Sequence, residues 1–195
     1  MSESIACALI VSQKRAELAR DLILPTLLNQ GFDEVVVVGD FWSGEGYRHL
    51  SIPPITRTTV DALIKRETAL SATKSDIIVY VCDDHRLSPN FGLVLRENYL
   101  ADSHWGYLVP NRFCIRDGKF LVLNMGAREE YCGGHAGVFR RDALRKVPWM
   151  VAPLDPPYLW DKWHSHMLNA QGVTFREASG DLLVEDIEPL GRPWE

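Results

Sequence analysis

Three apolar runs without alternation punctuate the first half of the chain. Ile5–Val11 is the first and ends at Ser12-Gln13. A short continuous apolar run of this kind predicts a strand buried on both faces. Lys14–Gln30 follows with helical spacing: Leu18, Leu22, Leu27 and Leu28 fall near one face, and Gly31 is a stop residue. Pro25 lies inside this segment, so a kink or break is expected near Leu24. Val35–Val38 is the second run, closed by Gly39-Asp40. A strand, a helix and a strand in this order predict a parallel pair with a right-handed crossover.

Beyond Phe41–Gly46, which reads as a loop, Ile52–Arg57 is expected as a short edge strand. Pro53 and Pro54 exclude it from a central position. Thr59–Thr73 reads as a helix with Ala62, Leu63, Ala69 and Leu70 turned inward. Ile77–Cys82 is the third apolar run, and Pro89–Leu100 a further helix with Phe91, Val94, Leu95 and Leu100 as core candidates.

After about residue 105 the pattern changes. Tyr107–Pro110 predicts a short strand. Phe113–Arg116 and Lys119–Leu123 flank Asp117-Gly118, a strong hairpin signal. Gly133–Arg140 leads from a glycine-rich turn into a strand, Arg141–Lys146 is a helical turn, Tyr158–Gln171 a helix stopped by Gly172, and Val173–Ala178 a last strand. The expected fold class is α/β: a central, mostly parallel sheet flanked by helices, with a small antiparallel region in the second half. One domain is expected over residues 1–195, divided into halves at 1–105 and 106–180, with an irregular tail at 181–195.

Composition narrows the class. With 195 residues, 46% of them hydrophobic, the chain has enough apolar material for one full core. A formal net charge of −5 argues against a broad nucleic-acid-binding surface. The cysteines Cys7, Cys82, Cys114 and Cys132 form no Cys-x-x-Cys pair, and they read as reduced thiols rather than a disulfide framework or zinc site. Met-Ser-Glu-Ser at the start lacks the positive region of a signal peptide, and no apolar run approaches membrane-spanning length. The expectation is a cytoplasmic protein without a membrane span. No phosphate-binding Gly-x-x-x-x-Gly-Lys loop, no Gly-x-Gly-x-x-Gly after a strand and no Gly-x-Ser-x-Gly elbow occurs, so kinase, dinucleotide dehydrogenase and serine hydrolase readings lose their main support.

Candidate chemistry gathers where the apolar runs stop. Ile77–Cys82 ends abruptly at Asp83, Asp84 and His85. Charges directly after a parallel strand sit at its carboxyl end, the edge where ligands bind in open α/β sheets. Two carboxylates and an imidazole there suit a divalent cation, and the cation suits a phosphate; a solvated capping loop is the plainer alternative. Asp40 ends the second run and belongs at the same edge, placed for base or ribose contacts. Phe41 or Trp42 would stack on a base, unless Trp42 is an ordinary half-buried aromatic. Arg66, in the helix leading to the third run, is placed to approach a diphosphate, whereas Lys65 reads as part of a solvated helix face. Cys132–Gly137 surrounds His135 with small residues, including Gly134. It is either a close ligand approach or a tight turn. On the late helix, Asp161 and His164 are three apart and share a face. Asp161 is a candidate general base and His164, or His166, a candidate metal ligand. The alternative is an amphipathic helix with Trp160, Trp163 and Met167 inward.

The order of these segments resembles the glycosyltransferase A (GT-A) fold, and most closely the family 2-like glycosyltransferases. Leu18–Asp40 is similar to that family's first helix, its Leu-Leu-Asn-Gln ending and the strand closing on a nucleotide-binding Asp. Arg66 falls near the arginine ahead of the metal strand, though Glu67 stands where an Asn usually follows. Asp83-Asp84-His85, with Leu87–Phe91, resembles the Asp-x-Asp motif and its turn, with His85 replacing the last Asp. Gly133–Leu144 resembles the acceptor side. Trp160-Asp161 falls where the family has a Glu-Asp pair ending in the catalytic base.

The resemblance implies a Rossmann-like GT-A architecture with Asp83 and His85 as ligands of Mn²⁺ or Mg²⁺. Asp40, Trp42, Arg66, Asp83 and Asp84 would lie around a nucleotide-sugar donor, Gly134 and His135 on the acceptor side, and Asp161 would act as base. The implied function is metal-dependent transfer of a sugar from a nucleoside-diphosphate sugar, a UDP-sugar above others, to a hydroxyl. The acceptor stays open between a glycan, a lipid, a protein, a metabolite and a modified nucleic-acid base, and an oligomer is compatible with the reading. Two alternatives stand beside it. A nucleotidyltransferase would want a glycine-rich loop after the first strand, where Ser12–Arg15 has the arginine but no glycine. A non-catalytic binding protein could retain the fold.

Overall fold

A computed structural model of the protein describes residues 3–40, 44–55, 58–102, 104–116, 119–123, 136–151 and 160–187. In chain order the first strands are β1 (Ile5–Ile10), β2 (Glu34–Val38), β3 (Arg48–Leu50), β4 (Ile77–Cys82), β5 (His85–Leu87) and β6 (Tyr107–Val109). They are followed by β7 (Asn111–Arg116), β8 (Lys119–Leu123), β9 (Ala136–Arg140), β10 (Phe175–Glu177) and β11 (Leu183–Asp186). The helices are α1 (Ala16–Leu18), α2 (Leu24–Leu27), α3 (Thr58–Ala72), α4 (Phe91–Tyr99), α5 (Arg141–Lys146) and α6 (Trp160–Ala170).

The three unalternated runs become β1, β2 and β4, and they lie side by side in a seven-stranded sheet ordered β10-β6-β9-β4-β1-β2-β3. β1 is central, parallel to β2 on one side and β4 on the other. Only β9 runs against the rest, antiparallel to both β4 and β6. Every residue of β1 is buried, because both of its faces carry helices. One face packs Cys7, Leu9, Val37, Val79 and Val81 against Ile23 and Leu27 and against Phe91 and Leu95 of α4. The other packs Ile10, Val38, Ile78 and Tyr80 against Leu63 of α3, Trp149 and Leu168 of α6. Each fully buried aliphatic or aromatic side chain of this kind contributes about 1.5–3 kcal/mol.

The break expected near Leu24 takes a specific form. Residues 19–23 form a π-helical turn between α1 and α2, with Pro25 at the start of α2. Proline supplies no N–H and its ring crowds the carbonyl four residues back, and a widened turn relieves both. Gly31 then ends the segment at φ +81°, where an added Cβ would meet the Leu93 side chain at 2.6 Å.

A second sheet, ordered β5-β11-β7-β8, holds the predicted hairpin: β7 and β8 pair antiparallel. Four readings are corrected here. The edge strand is Arg48–Leu50 rather than Ile52–Arg57, since residues 52–55 carry no strand and the two prolines cannot donate to a ladder. His85–Leu87, a loop in the plainer alternative reading, is a short strand that pairs with β11. The stretch after residue 180 is not wholly irregular, because β11 is built from it. Lys65 is not on a solvated face: it is 1% exposed, while Ala62 is only half-buried. Its ammonium donates to the Val11 carbonyl (2.8 Å) and pairs with Asp61 (2.5 Å), and these bonds make the burial of that charge tolerable.

Candidate functional site

β4 ends at Cys82, Asp83 and Asp84 make a turn, and His85 begins β5 in the second sheet. The acidic motif is therefore the corner at which the chain leaves one sheet for the other. Antiparallel pairing of β5 with β11 sets Asp186 directly opposite His85. The Ile187 N–H donates to the Asp84 carbonyl (2.8 Å) and closes the corner.

The side chains at this corner have divided roles. Asp83, 4% exposed, points back to the loop after β1: Oδ2 accepts from the Ser12 N–H (2.6 Å) and the Ser12 hydroxyl (2.5 Å). Its Oδ1 lies 3.3 Å from Arg15 Nη1. Burial raises the Asp83 pKa, although the Ser12 bonds oppose the shift. The same Arg15 nitrogen pairs with Asp84 Oδ2. Asp84 Oδ1 in turn lies 2.6 Å from His85 Nδ1, and His85 Nε2 lies 2.8 Å from Asp186 Oδ1. His85 is 2% exposed. Burial disfavours its charge, yet the carboxylates of Asp186 and Asp84 outweigh burial and lift its pKa well above the ordinary histidine value.

Asp40 lies just past β2, exposed, and accepts from the Ser51 hydroxyl at 3.2 Å. It shares the carboxyl edge of the sheet with Asp83, as their places after parallel strands require. Arg66 is 1% exposed rather than free at that edge. Its guanidinium carbon stands 5.3 Å from the Tyr80 ring centroid and 5.0 Å from that of Trp149. One of its nitrogens reaches Cys82 Sγ (3.4 Å), immediately before the acidic corner.

His164 belongs to a different environment. It is fully buried, stacks on Trp149 with ring centroids 3.9 Å apart, and its Nε2 lies 2.8 Å from the Val147 carbonyl. Burial, with Arg66 nearby, lowers its pKa to about 4 although the Val147 bond opposes this, so the ring is neutral and Nε2 donates. Its contacts among the described residues are with this aromatic cluster and not with the Asp83–His85 corner. His166 is exposed and lies 6.3 Å from the Trp163 ring. Asp161 sits in the first turn of α6. Trp42, Gly134 and His135 lie outside the described residues.

Among the described residues no group of three or more His, Cys, Asp or Glu side chains converges as a ready metal cage. A cage is not what a cation that shares its shell with phosphate oxygens needs. Such ions use one or two protein ligands, then substrate phosphates and waters. His85 Nε2 and Asp186 Oδ1 fit that pattern. Two ligands about 2.1 Å from one octahedral ion stand about 3 Å apart on adjacent corners, close to the 2.8 Å observed. A carboxylate at the other ring nitrogen is the usual companion of a ligating histidine, and Asp84 occupies that place. The spacing of His85 and Asp186 is compatible with a divalent cation that completes its shell with substrate oxygens and waters.

Three residues of this corner escaped the sequence: Ser12, Arg15 and Asp186. Asp186 did leave a signal. Leu182–Val184 followed by Glu185-Asp186 repeats, in shorter form, the apolar run ending in acids that drew attention to Asp83.

No family model matches the chain, and no curated protein does. Solved structures do match in shape. The mannosyltransferase PcManGT from Pyrobaculum calidifontis, in complex with GDP-Man and Mn²⁺, aligns with 97% of this chain and 58% of its own at TM-score 0.65 and 16% identity. S. aureus TarS 1-349 in complex with UDP-GlcNAc aligns over 95% of this chain and 59% of its own, at TM-score 0.66 and 12% identity. GalNAc-T7 with UDP, GalNAc and Mn²⁺ aligns over 98% and 45%, again at 0.66 and 12%. The chain thus has a GT-A-type glycosyltransferase fold. It spans about half to three fifths of the length of the structures it resembles.

Proposed function

We propose that the chain is a glycosyltransferase that moves a sugar from a nucleoside-diphosphate sugar, most readily a UDP-sugar, to a hydroxyl, with Mn²⁺ or Mg²⁺ as cofactor. The observation that carries this reading is the meeting of His85 and Asp186 at the carboxyl edge of the parallel sheet, on the edge that also bears Asp40. The solved structures of like fold hold nucleotide-sugars or nucleotides, two of them with Mn²⁺.

In this reading His85 and Asp186 hold the cation, which when bound offsets the charge developing on the leaving diphosphate. Asp84 orients His85. Asp83 fixes the loop after β1 through Ser12, forming the floor on which the diphosphate lies. Asp40 contacts the base or ribose, and Trp42 stacks on the base. Arg66 keeps the end of β4 in place from below and adds positive charge near the diphosphate. Gly134 and His135 lie on the acceptor side, and Asp161 accepts the proton of the attacking hydroxyl. Cys7, Cys82 and Cys114 are free thiols, which suits a cytoplasmic protein. No helix among the described residues is long and apolar enough to cross a membrane.

The test is thermal stabilisation against a panel of nucleotide-sugars with and without Mn²⁺, followed by slow donor hydrolysis. A donor at one hundred times its Kd raises stability by about 2.7 kcal/mol. Stabilisation by one class of nucleotide-sugar, weak without metal and much larger when Mn²⁺ is present, together with hydrolysis, is the expected result. Stabilisation without hydrolysis points to a binding protein, and no stabilisation by any donor rejects the proposal. In the Asp161→Asn variant, donor binding is expected to persist while transfer falls roughly 10²–10⁴-fold.

A further inference from the structure

We propose that Arg15 is a positioning residue for the cation site, acting on His85 through Asp84. The inference rests on the cation-site reading given above and adds a residue to it. Arg15 comes from the turn after β1, while Asp186 comes from β11 near the other end of the described chain. Between them runs one continuous series of charged contacts: Arg15 to Asp84, Asp84 to His85, and His85 to Asp186.

The geometry separates two roles for a cation at this place. Arg15 could stand in for the metal ion and compete with it, or it could hold the ligands ready. Among the described residues Arg15 pairs with Asp83 and Asp84, while Nε2 of His85 pairs with Asp186. It therefore engages the carboxylates that do not ligate and leaves alone the pair that does. With Arg15 gone, Asp84 loses its ion pair through Oδ2, and its contact with Nδ1 loosens. That contact favours Nδ1 as the nitrogen that keeps its proton when Nε2, which donates to Asp186 in the metal-free site, gives its own up to a cation. Asp83 does not depend on Arg15 in the same way, because Ser12 holds it with two further bonds. One nitrogen, Nη1, serves both carboxylates, so a lysine ammonium can take over much of the work.

The experiment measures Mn²⁺ uptake by electron paramagnetic resonance of the free ion, and UDP binding in EDTA by calorimetry, on the full chain. Arg15→Ala is expected to weaken Mn²⁺ binding about 10–100-fold, the usual cost of losing an outer partner. UDP binding without metal should stay within about twofold of wild type, which a general structural defect would not allow. Arg15→Lys should restore most of the loss, and Asp84→Asn should weaken Mn²⁺ like Arg15→Ala, with no further loss in the double variant. Unchanged or tighter Mn²⁺ binding in folded Arg15→Ala overturns the proposal. If that variant does not fold, wild-type Mn²⁺ affinity in Asp84→Asn overturns it equally. His85→Ala reports on the underlying reading. Mn²⁺ uptake that survives in His85→Ala, or is missing from the wild type, rejects the cation site and the role of Arg15 with it.

Discussion

Two buried histidines, His85 at the start of β5 and His164 in α6, have opposite chemistry. His85 lies between two carboxylates and favours its proton; His164 lies between a backbone carbonyl and an indole and refuses one. Both are almost fully buried, so burial does not distinguish them. The neighbours do. Carboxylates on both sides of His85 make a place where positive charge is stabilised, whether a proton or a metal ion carries it. Around His164, Arg66 and the aromatic rings make a place where positive charge is already supplied. Only the first corner is suited to a cation, which is why His85 stays in the proposed ligand set and His164 does not.

The contrast can be broken from the aromatic side first. Trp149 is fully buried and packs edge-on against Tyr80 and Phe139 while stacking on His164. Trp149→Ala is expected to lower stability by about 3–5 kcal/mol in urea denaturation, while Mn²⁺ affinity of the folded fraction stays unchanged. A shift in Mn²⁺ affinity would show that the two regions are not separate.

The second prediction uses pH. His164 has a folded pKa near 4, below the unfolded value, so the unfolded chain binds the extra proton first as pH falls. Its contribution to stability is complete above the ordinary histidine pKa and drains away as pH drops toward 4. The total is up to about 3 kcal/mol from this group. His85 has the opposite sign: its raised pKa gives stability at low pH that is lost as pH rises through the folded value. In EDTA, stability should therefore decline on both sides of neutrality, and His164→Gln should flatten the acid limb alone. An acid limb unchanged by that substitution would contradict the assignment.

The smallest expected effect lies just outside the corner. Arg86 and Glu185 form a partly exposed pair across β5 and β11, with Nε 2.7 Å from Oε2. Arg86→Ala should cost less than about 1 kcal/mol and leave Mn²⁺ binding within about twofold of wild type. A larger effect on the ion would mean that strand pairing as a whole, rather than the His85–Asp186 contact, holds the site.

Much of the fold was legible in the sequence, and for a physical reason. β1, β2 and β4 are buried on both faces, so their residues could not alternate and the runs stand out. The short strands were harder. β5 and β11 have three and four residues, and what makes them strands is pairing with each other, a long-range fact that no local pattern carries. The same holds for the site. Asp83, Asp84 and His85 announce themselves at the end of an apolar run, but their division of roles depends on Ser12, Arg15 and Asp186, brought in from distant turns. Lys65 was misread because charge at helical spacing looks solvated until the Val11 carbonyl and Asp61 are seen around it.

The central claim is that His85 and Asp186 together hold the divalent cation against a donor diphosphate. The most direct measurement is calorimetric titration of UDP with and without Mn²⁺ into wild type and into Asp186→Ala. The account predicts Mn²⁺-dependent UDP binding in the wild type and its loss in Asp186→Ala, with the weak metal-free binding of UDP retained. Equal Mn²⁺-dependent binding in both proteins would contradict it.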